Sequence, residues 1–382
     1  MSILLRIGLM LFSVGQFPPG QNTAQSVLWY LASFIVFIVF FMFWNRIQIR
    51  FWLREIEAAL NKIKFMRDES RRISIETIKS VGKPKEDPAP RVDQFLEYLF
   101  IEPTSMDPSG IVQKFDHLLD VRDLRFKDEV RVIAPGADEA QLNTLENLLE
   151  ASMDLNLIYK VVRHFYLFGK KTMSLYIIMQ LQMIMPLLMQ IVEAYMGAAH
   201  AFSKGQPIGD GAGAFVAAKL MHGNSFKKIA KDMVISEVPI DGRKVFVLKA
   251  EGPGGNVGKP GDAIKAVIDK YKKKVSMVVM IDAQVKLEGE DTGDTAEAIG
   301  AAIGGVGTEK YKIEESIFKH KIPVNAILIK QSIQEAISPM KKEVIKGVEN
   351  AVAVVRRLIN DRTKKGDIVI VAGIGNTVGI GQ

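Results

Sequence analysis

The sequence predicts an α/β carboxy-terminal domain with a mostly parallel sheet, preceded by an α-helical middle domain and one N-terminal transmembrane helix. Three observations lead there. After Ser203, short runs that are apolar on both sides alternate with helical segments, the pattern of a parallel sheet covered on both faces. From Val92 to about Phe202 the apolar residues recur with helical spacing. Near the start, "VLWYLASFIVFIVFFMFW" (27–44) carries no charge over 18 positions.

That run matches the length a helix needs to cross a hydrocarbon core of about 30 Å. Trp29 and Tyr30 at one end and Trp44 at the other sit where interfacial aromatics belong. Residues 1 to 26 hold one basic side chain, Arg6. Residues 45 to 72 hold eight: Arg46, Arg50, Arg54, Lys62, Lys64, Arg67, Arg71 and Arg72. The positive-inside rule then places everything after Trp44 in the cytoplasm of a single-pass membrane protein. A cleaved signal peptide is the rival, but no small-residue cleavage site follows Trp44 before the charges begin.

Residues 46 to 80 read as a basic amphipathic helix, with Phe51, Ile56, Leu60, Ile63 and Phe65 near helical spacing. It could lie on anionic lipid, pair as a short coiled coil, or stand as a solvated stalk. "GKPKEDPAP" (82–90) interrupts regular structure and reads as a linker. The domain boundaries expected are therefore 1–45, 46–91, 92–202 and 203–382.

Within the helical region, "MSLYIIMQLQMIMPLLMQIVEAYMGAA" (173–199) is apolar enough to raise a second span. Gln180, Gln182, Gln190, Glu193 and Pro186 weigh against it. A buried helix, or a Met-rich face for another copy of the chain in a homo-oligomer, is the expectation.

In the last domain "MVISEVP" and "KVFVLKA" flank Asp241-Gly242, a hairpin. "DAIKAVIDKYKKK" is a helix, "VSMVVMIDA" a buried strand, "KIEESIFKHK" a helix and "PVNAILIK" a strand. "SPMKKEVIKGVENAVAVVRRLINDRT" is a long helix leading to a final strand at 368–371. The glycines after that strand look built to launch a helix, yet the given sequence stops at Gln382. Either this loop dangles, or it closes against a helix drawn from elsewhere in the sequence.

Composition narrows the chemistry. With 48% hydrophobic and 24% charged residues the chain can bury a sizeable core. The absence of cysteine removes disulfides, thiolate zinc sites and a cysteine nucleophile. The excess of 50 Lys+Arg over 43 Asp+Glu is concentrated beside the apolar run, which points to a lipid bilayer rather than nucleic acid.

Nucleotide signatures fail on spacing. "GPGGNVGKPGD" (252–262) has Pro260 where a Walker loop needs a hydroxyl for magnesium. It still lies between a strand and a helix, so the amides of Gly254, Gly255 and Gly258 together with Lys259 could cradle an anion; a tight structural turn is the alternative. The terminal "GIGNTVGIG", which carries Gly375 and Asn376, has Val378 where a dinucleotide loop needs its third glycine. No GxSxG or HExxH occurs, and His117, His164, His200, His222 and His320 have no ligand spacing. What remains are carboxylates beside glycines: Asp210, Asp282 and Glu297.

These stretches resemble something known. "VIVAGIGN" resembles the first strand and turn of hydrogenase-maturation peptidases and of the spore germination protease, "GDGAGAFVAAKL" (209–220) the helix start that follows it there, and "VVMIDA" their next acidic strand end. "AEAIGAAIGGVGTEKYKIEE" through "KIPVNAILIK" is similar in order and spacing to the Gly-rich loop, helix and strand of the germination protease. The resemblance covers about residues 205–382 with its first strand last, which implies a circularly permuted, phosphorylase/hydrolase-like domain. Permutation is physically reasonable because domain termini lie close together. The whole chain also resembles an uncharacterised family of membrane-anchored archaeal proteins carrying a domain of unknown function.

The resemblance implies catalytic roles for Asp210 and Asp282, or a divalent metal ion held by them, with Glu297 near a second catalytic aspartate. The peptidases' metal-binding histidine has no counterpart here. Chemically, two carboxylates in a dry cleft repel, so that one keeps its proton and the pair serves as acid and base; alternatively they hold a hard cation. The plain alternatives are a helix N-cap for Asp210 and a turn residue for Asp282. Two functions follow: a membrane-tethered hydrolase or peptidase-like enzyme, or a non-enzymatic scaffold that binds a partner or small anion and oligomerises.

Overall fold

The computed structural model describes residues 23–99, 101, 110–305 and 307–382. Most of the expected flank before the apolar run, Arg6 included, lies outside the described residues. The chain divides into two compact units, Met1–Glu57 with Phe165–Met183, and Ala58–His164 with Ile184–Gln382.

In the first unit, helix α1 (Thr23–Thr77) carries the apolar run, whose side chains from Val27 to Phe40 are largely exposed. The hairpin tip between α4 (Glu139–Thr172) and α5 (Leu175–Ser203) closes with Gly169 against Ile178, and Gln182 Nε2 donates to Glu55 at 2.6 Å. Tyr176, Met179 and Met183 are exposed. Among the described residues the helix long and apolar enough to cross a membrane is Leu175–Ser203, not the N-terminal run, where Val27–Phe40 is shorter. The expectation of a buried 173–199 helix is met on one face only. Ile178, Leu181, Met185 and Val192 are buried, because the apolar residues surround the helix while one side of it finds a partner surface.

Along α1 the buried positions are Ile49, Leu53, Ile56, Leu60 and Ile63. This alternating four–three spacing is that of a coiled-coil seam. Phe51 and Phe65, expected near that stripe, are off it and exposed.

In the second unit a helical core forms from the end of α1, α2 (Ala89–Phe95), α3 (Ile111–Ile133) and parts of α4 and α5. It packs Ile73, Phe95, Phe126, Val130, Leu145, Leu149 and Phe202 together. The Gly82 carbonyl accepts the Gly136 N–H at 2.8 Å, which ties the Pro-rich stretch to the α3–α4 turn.

Beyond it lies a seven-stranded sheet: β1 (Phe226–Ala230), β2 (Met233–Ile240), β3 (Arg243–Ala250), β4 (Val275–Val285), β5 (Thr295–Ile299), β6 (Val324–Gln331) and β7 (Ile368–Gly373). Its order is β1-β2-β3-β7-β4-β6-β5. The central four strands are parallel, while β1, β2 and β5 join antiparallel. The sheet is thus mixed rather than mostly parallel. Strands joined by a tight turn, such as β2 and β3 at Asp241-Gly242, must run antiparallel, and only those joined by helical crossovers can run parallel.

Helices α6 (Ala212–Met221) and α10 (Lys342–Arg362) cover one face, packing Val216, Leu220, Val348 and Val355 on Val247, Val371 and Val279. Helices α7 (Pro260–Tyr271) and α8 (Thr308–His320) cover the other, packing Ile264, Ile268 and Ile313 on Leu248, Ile370 and Met280. A short helix α9 (Ile333–Ile337) follows β6. Connections that step from β3 to β4 to β6 use the second face, and the return from β6 to β7 uses the first. A common crossover hand demands this arrangement.

The last strand of the chain is the middle strand of the sheet. Val369, Ile370 and Val371 are fully buried, as a strand apolar on both sides must be.

Candidate functional site at the carboxyl edge of the sheet

Beyond β7 the chain turns at Gly375 (φ +121°) directly against the start of α6. A Cβ at Gly375 would stand 2.0 Å from the Asp210 carbonyl oxygen, and one at Gly213 would stand 2.2 Å from that of Ile281. Only glycines allow this approach. The Ala214 N–H donates to Ile374 O at 3.0 Å, and the Ile374 N–H to Ile281 O at 2.8 Å. The terminal loop thus closes against the helix that starts beside Asp210.

Here the carboxyl ends of β7 and β4 meet, the edge at which open α/β sheets bind ligands. Asp210 lies in the single 3₁₀ turn Gly209–Gly211 before α6, and its Oδ2 accepts the Asn376 N–H at 2.8 Å. Asp282, near the end of β4, is 8% exposed, and its Oδ1 accepts the Ala283 N–H at 2.8 Å. Burial, then the neighbouring Asp210 charge, pushes Asp282 up to about 7, against hydrogen bonds from the Ala283 and Gly304 amides. Burial also raises Asp210, against the Asn376 N–H. The two carboxyls share one electrostatic environment although they come from separate elements.

The turn bearing Asp210 is held from below. The Gln331 Nε2 donates to Gly209 O at 2.9 Å, while its Oε1, buried beside Gly209, has no partner among the described residues. Ser332 and Glu335 form a capping box on α9. Glu335 also accepts from Thr292 Oγ1 at 2.9 Å and Lys341 Nζ at 2.9 Å. Its burial would raise it, but these bonds and the Ser332 N–H draw it down to about 2, so it is a fixed anion.

The two glycine-rich loops singled out in the sequence are one structure. The Thr377 Oγ1 donates to Gly254 O at 2.7 Å, the Thr377 N–H to Asn256 O at 3.0 Å and the Gly379 N–H to Pro253 O at 2.9 Å. Asn147 of α4 bridges them, its Nδ2 donating to Gly255 O at 2.8 Å and its Oδ1 accepting from Asn376 Nδ2 at 2.7 Å. Gly258 abuts Met233. Lys259 points away to α3, where it pairs with Asp116 at 2.9 Å and Asp120 at 3.3 Å, so its charge is committed within the protein.

Glu297 stands apart. It lies on edge strand β5 opposite Ile327, itself opposite Ile281, which is two strand spacings or roughly 10 Å from β4. It is ion-paired with Arg357 of α10.

Among the described residues no group of three His, Cys, Asp or Glu side chains is placed to hold a metal ion. Two carboxylates could hold magnesium only with waters or substrate oxygens completing its six ligands.

Sequence reasoning missed Gln331, Glu335 and Asn147, all of which sit in unremarkable helical or strand patterns. Ser332 followed three residues later by Glu335 is a capping-box spacing and was the available signal. It missed Lys249 as well, a fully buried amine at the end of β3 whose Nζ donates to Ala250 O at 2.8 Å. Burial brings it down to about 8, opposed by Glu251.

Two family models match the chain in tandem. One described as "Protein of unknown function (DUF1512) N-terminal domain" covers residues 30–205, and one described as "Domain of unknown function (DUF1512) C-terminal" covers residues 208–381. Among curated proteins nothing matches.

Proposed function

This chain belongs to the DUF1512 family, which supplies no activity, and on the geometry of its own carboxyl pair we propose that it is a membrane-tethered hydrolase of peptidase-like type. The observation that carries the reading is the placement of Asp282 and Asp210 at the carboxyl edge of the central parallel strands, where burial and the neighbouring Asp210 charge push Asp282 up to about 7.

In two acids so placed the charge of one disfavours the charge of the other, so that one keeps its proton more readily than a free carboxyl. The ionised member takes a proton from water as the water oxygen bonds to a substrate carbonyl carbon. The protonated member gives its proton to the leaving amine as the C–N bond breaks. The unpartnered Gln331 Oε1 beside Gly209 offers a further acceptor for water or substrate. Tethering rests on the exposed apolar run of α1 and on the basic residues that follow it, which favour the cytoplasmic side. Exposed Tyr176, Met179 and Met183 support self-association as the companion proposal.

One observation favours the scaffold as a second reading: the Asp210 carboxylate is engaged by the Asn376 N–H, a contact that also pins the terminal loop. The test is hydrolysis of a fluorogenic peptide library by the full chain, with and without EDTA. The hydrolase predicts EDTA-insensitive cleavage with a bell-shaped pH profile that Asp282→Asn abolishes while the protein stays folded. Absence of cleavage by wild-type chain at every pH from 5 to 9 would leave the scaffold, and EDTA-sensitive cleavage would return the pair to metal binding.

A further inference from the structure

A second acidic pair lies on α4. Glu146 and Glu150, one helical turn apart, line a cleft of about 350 Å³ between α3, α4 and the 255–259 loop. That volume suits a small organic ligand. Asp210 and Asp282 are not among its lining residues.

The charges of the cleft are unevenly committed. Arg122 pairs with Asp123 at 2.9 Å, Arg131 with Glu139 at 3.1 Å and Lys231 with Asp120 at 3.0 Å. Lys127 also pairs with Glu139, and Lys259 with Asp116 and Asp120. Every cation lining the cleft therefore has an anionic partner inside the protein. Glu146 and Glu150 have no ion pair or hydrogen bond among the described residues. Asn143, one turn before Asn147, is 6% exposed and faces the same cleft, and its side-chain amide also lacks a hydrogen-bond partner among the described residues. An amide lining the cleft beside two carboxyls that make no hydrogen bonds can both accept from and donate to a ligand.

We propose that this cleft binds a primary ammonium group carried on a short flexible chain, with Glu146 and Glu150 as its counter-charges and Asn143 as its hydrogen-bonding partner. The absence of a three-ligand acidic or histidine cluster among the described residues favours an organic cation over a metal ion. Burial, with Glu150 and Asp123 adding like charge, lifts Glu146 to about 8, and burial lifts Glu150 to about 7.

The other charged groups facing the pair are Arg122 and Lys127 from α3, which oppose these shifts, and Asp154 from α4, hydrogen-bonded to Tyr195 of α5. Asp232, Lys231 and Lys259 face it from the strand-and-loop side. Ammonium binding then displaces protons from Glu146 and Glu150, so affinity rises with pH up to about 8 and levels off above it.

The test is calorimetric titration of the full chain with 1,6-diaminohexane at pH 6.5, 7.5 and 8.5, in two buffers of different ionisation enthalpy, with hexane-1,6-diol as the uncharged control. The proposal expects binding of the diamine but not the diol, release of about one proton per ligand at pH 6.5, and an affinity gain of several-fold to tenfold per pH unit below pH 8. Glu146→Gln and Glu150→Gln should each lower diamine affinity at least tenfold. Their amides imitate the protonated acids without the cost of keeping a proton above the ordinary carboxylate range, so thermal midpoints at pH 6.5 should equal or exceed the wild-type value. N-acetyl-lysinamide and spermidine as further ligands distinguish a peptide side chain from a free polyamine. Equal binding of diamine and diol, diamine binding without proton release at pH 6.5, or Mg²⁺ binding more tightly than the diamine would each overturn the proposal.

Discussion

Asp210 and Asp282 are brought together by a sheet edge, a 3₁₀ turn and a terminal loop from three distant parts of the chain, whereas Glu146 and Glu150 meet simply by standing one turn apart on α4. Both pairs have raised protonation ranges, and burial is the first cause in each. They differ in what opposes it. The first pair receives backbone N–H groups of Asn376, Ala283 and Gly304, which fix its geometry. The second is opposed only by the side chains of Arg122 and Lys127, which are already engaged elsewhere. A pair held by main chain has its geometry fixed in advance, which the proposed hydrolysis needs, whereas a pair without hydrogen bonds can rearrange.

The largest effect that would sharpen this contrast belongs to Asp282→Asn. Removing a general acid or base costs roughly 10²- to 10⁴-fold in rate. Yet the same change removes a buried acid whose folded-state pKa, about 7, lies above its ordinary value. Such a group favours the folded state below its unfolded pKa and loses that contribution as pH rises toward 7. The asparagine variant should therefore lose activity while matching or exceeding wild-type stability at pH 8, measured by urea unfolding beside the peptide assay. Loss of both together would break the distinction between a catalytic and a structural acid.

Next in size is Gly375→Ala, where a methyl group would meet the Asp210 carbonyl at 2.0 Å in a backbone conformation of φ +121°. Strain and displacement together should lower stability by about 3 kcal/mol or more. Gly381→Ala, which meets nothing within 4 Å, should leave the urea midpoint unchanged.

The same contrast governs what the sequence reveals. Asp210, Asp282, Gly375 and the burial of β7 are legible because glycine beside a carboxylate at a strand end is an unusual local pattern, and because a β-branched run apolar on both sides must be central. The antiparallel strands β1 and β5 are not legible. "FKKIA" and "TAEAI" are edge strands with few apolar residues, and their pairing is decided by neighbours far along the chain. Glu146 and Glu150 are hidden for the opposite reason. On α4 they look like the solvated face of an amphipathic helix, and only the approach of α3 and the 255–259 loop buries them. Asn143, Glu146, Asn147, Glu150 and Asp154 do form a continuous polar stripe at three- and four-residue spacing between Leu142, Leu145, Leu149 and Leu155, which was the signal available.

A smaller effect should separate the two pairs by pH. Glu150→Gln removes an acid that is protonated in the folded chain up to about pH 7 but ionised in the unfolded chain from about pH 4.5 upward. The folded state binds more protons across that window, so wild-type stability falls as pH rises through it. Thermal midpoints of variant and wild type should agree near pH 4 and diverge in favour of the variant by pH 8. Unlike Asp282→Asn, this variant should retain peptide hydrolysis.

The smallest effect is expected at Glu297, which the sequence groups with the two aspartates and the fold places two strands away. Its partner Arg357 is on the surface, the two side chains being 45% and 59% exposed. An exposed ion pair of this kind contributes about 0–1 kcal/mol because water and salt screen it. Glu297→Ala should therefore shift the urea midpoint slightly, the difference shrinking further in 1 M salt, and leave hydrolysis at the wild-type rate. A hundredfold loss of rate in that variant would bring β5 back into the proposed site. It would mean that the edge strand moves toward β4 during turnover, since the resting sheet keeps Glu297 on Arg357 and away from Asp282.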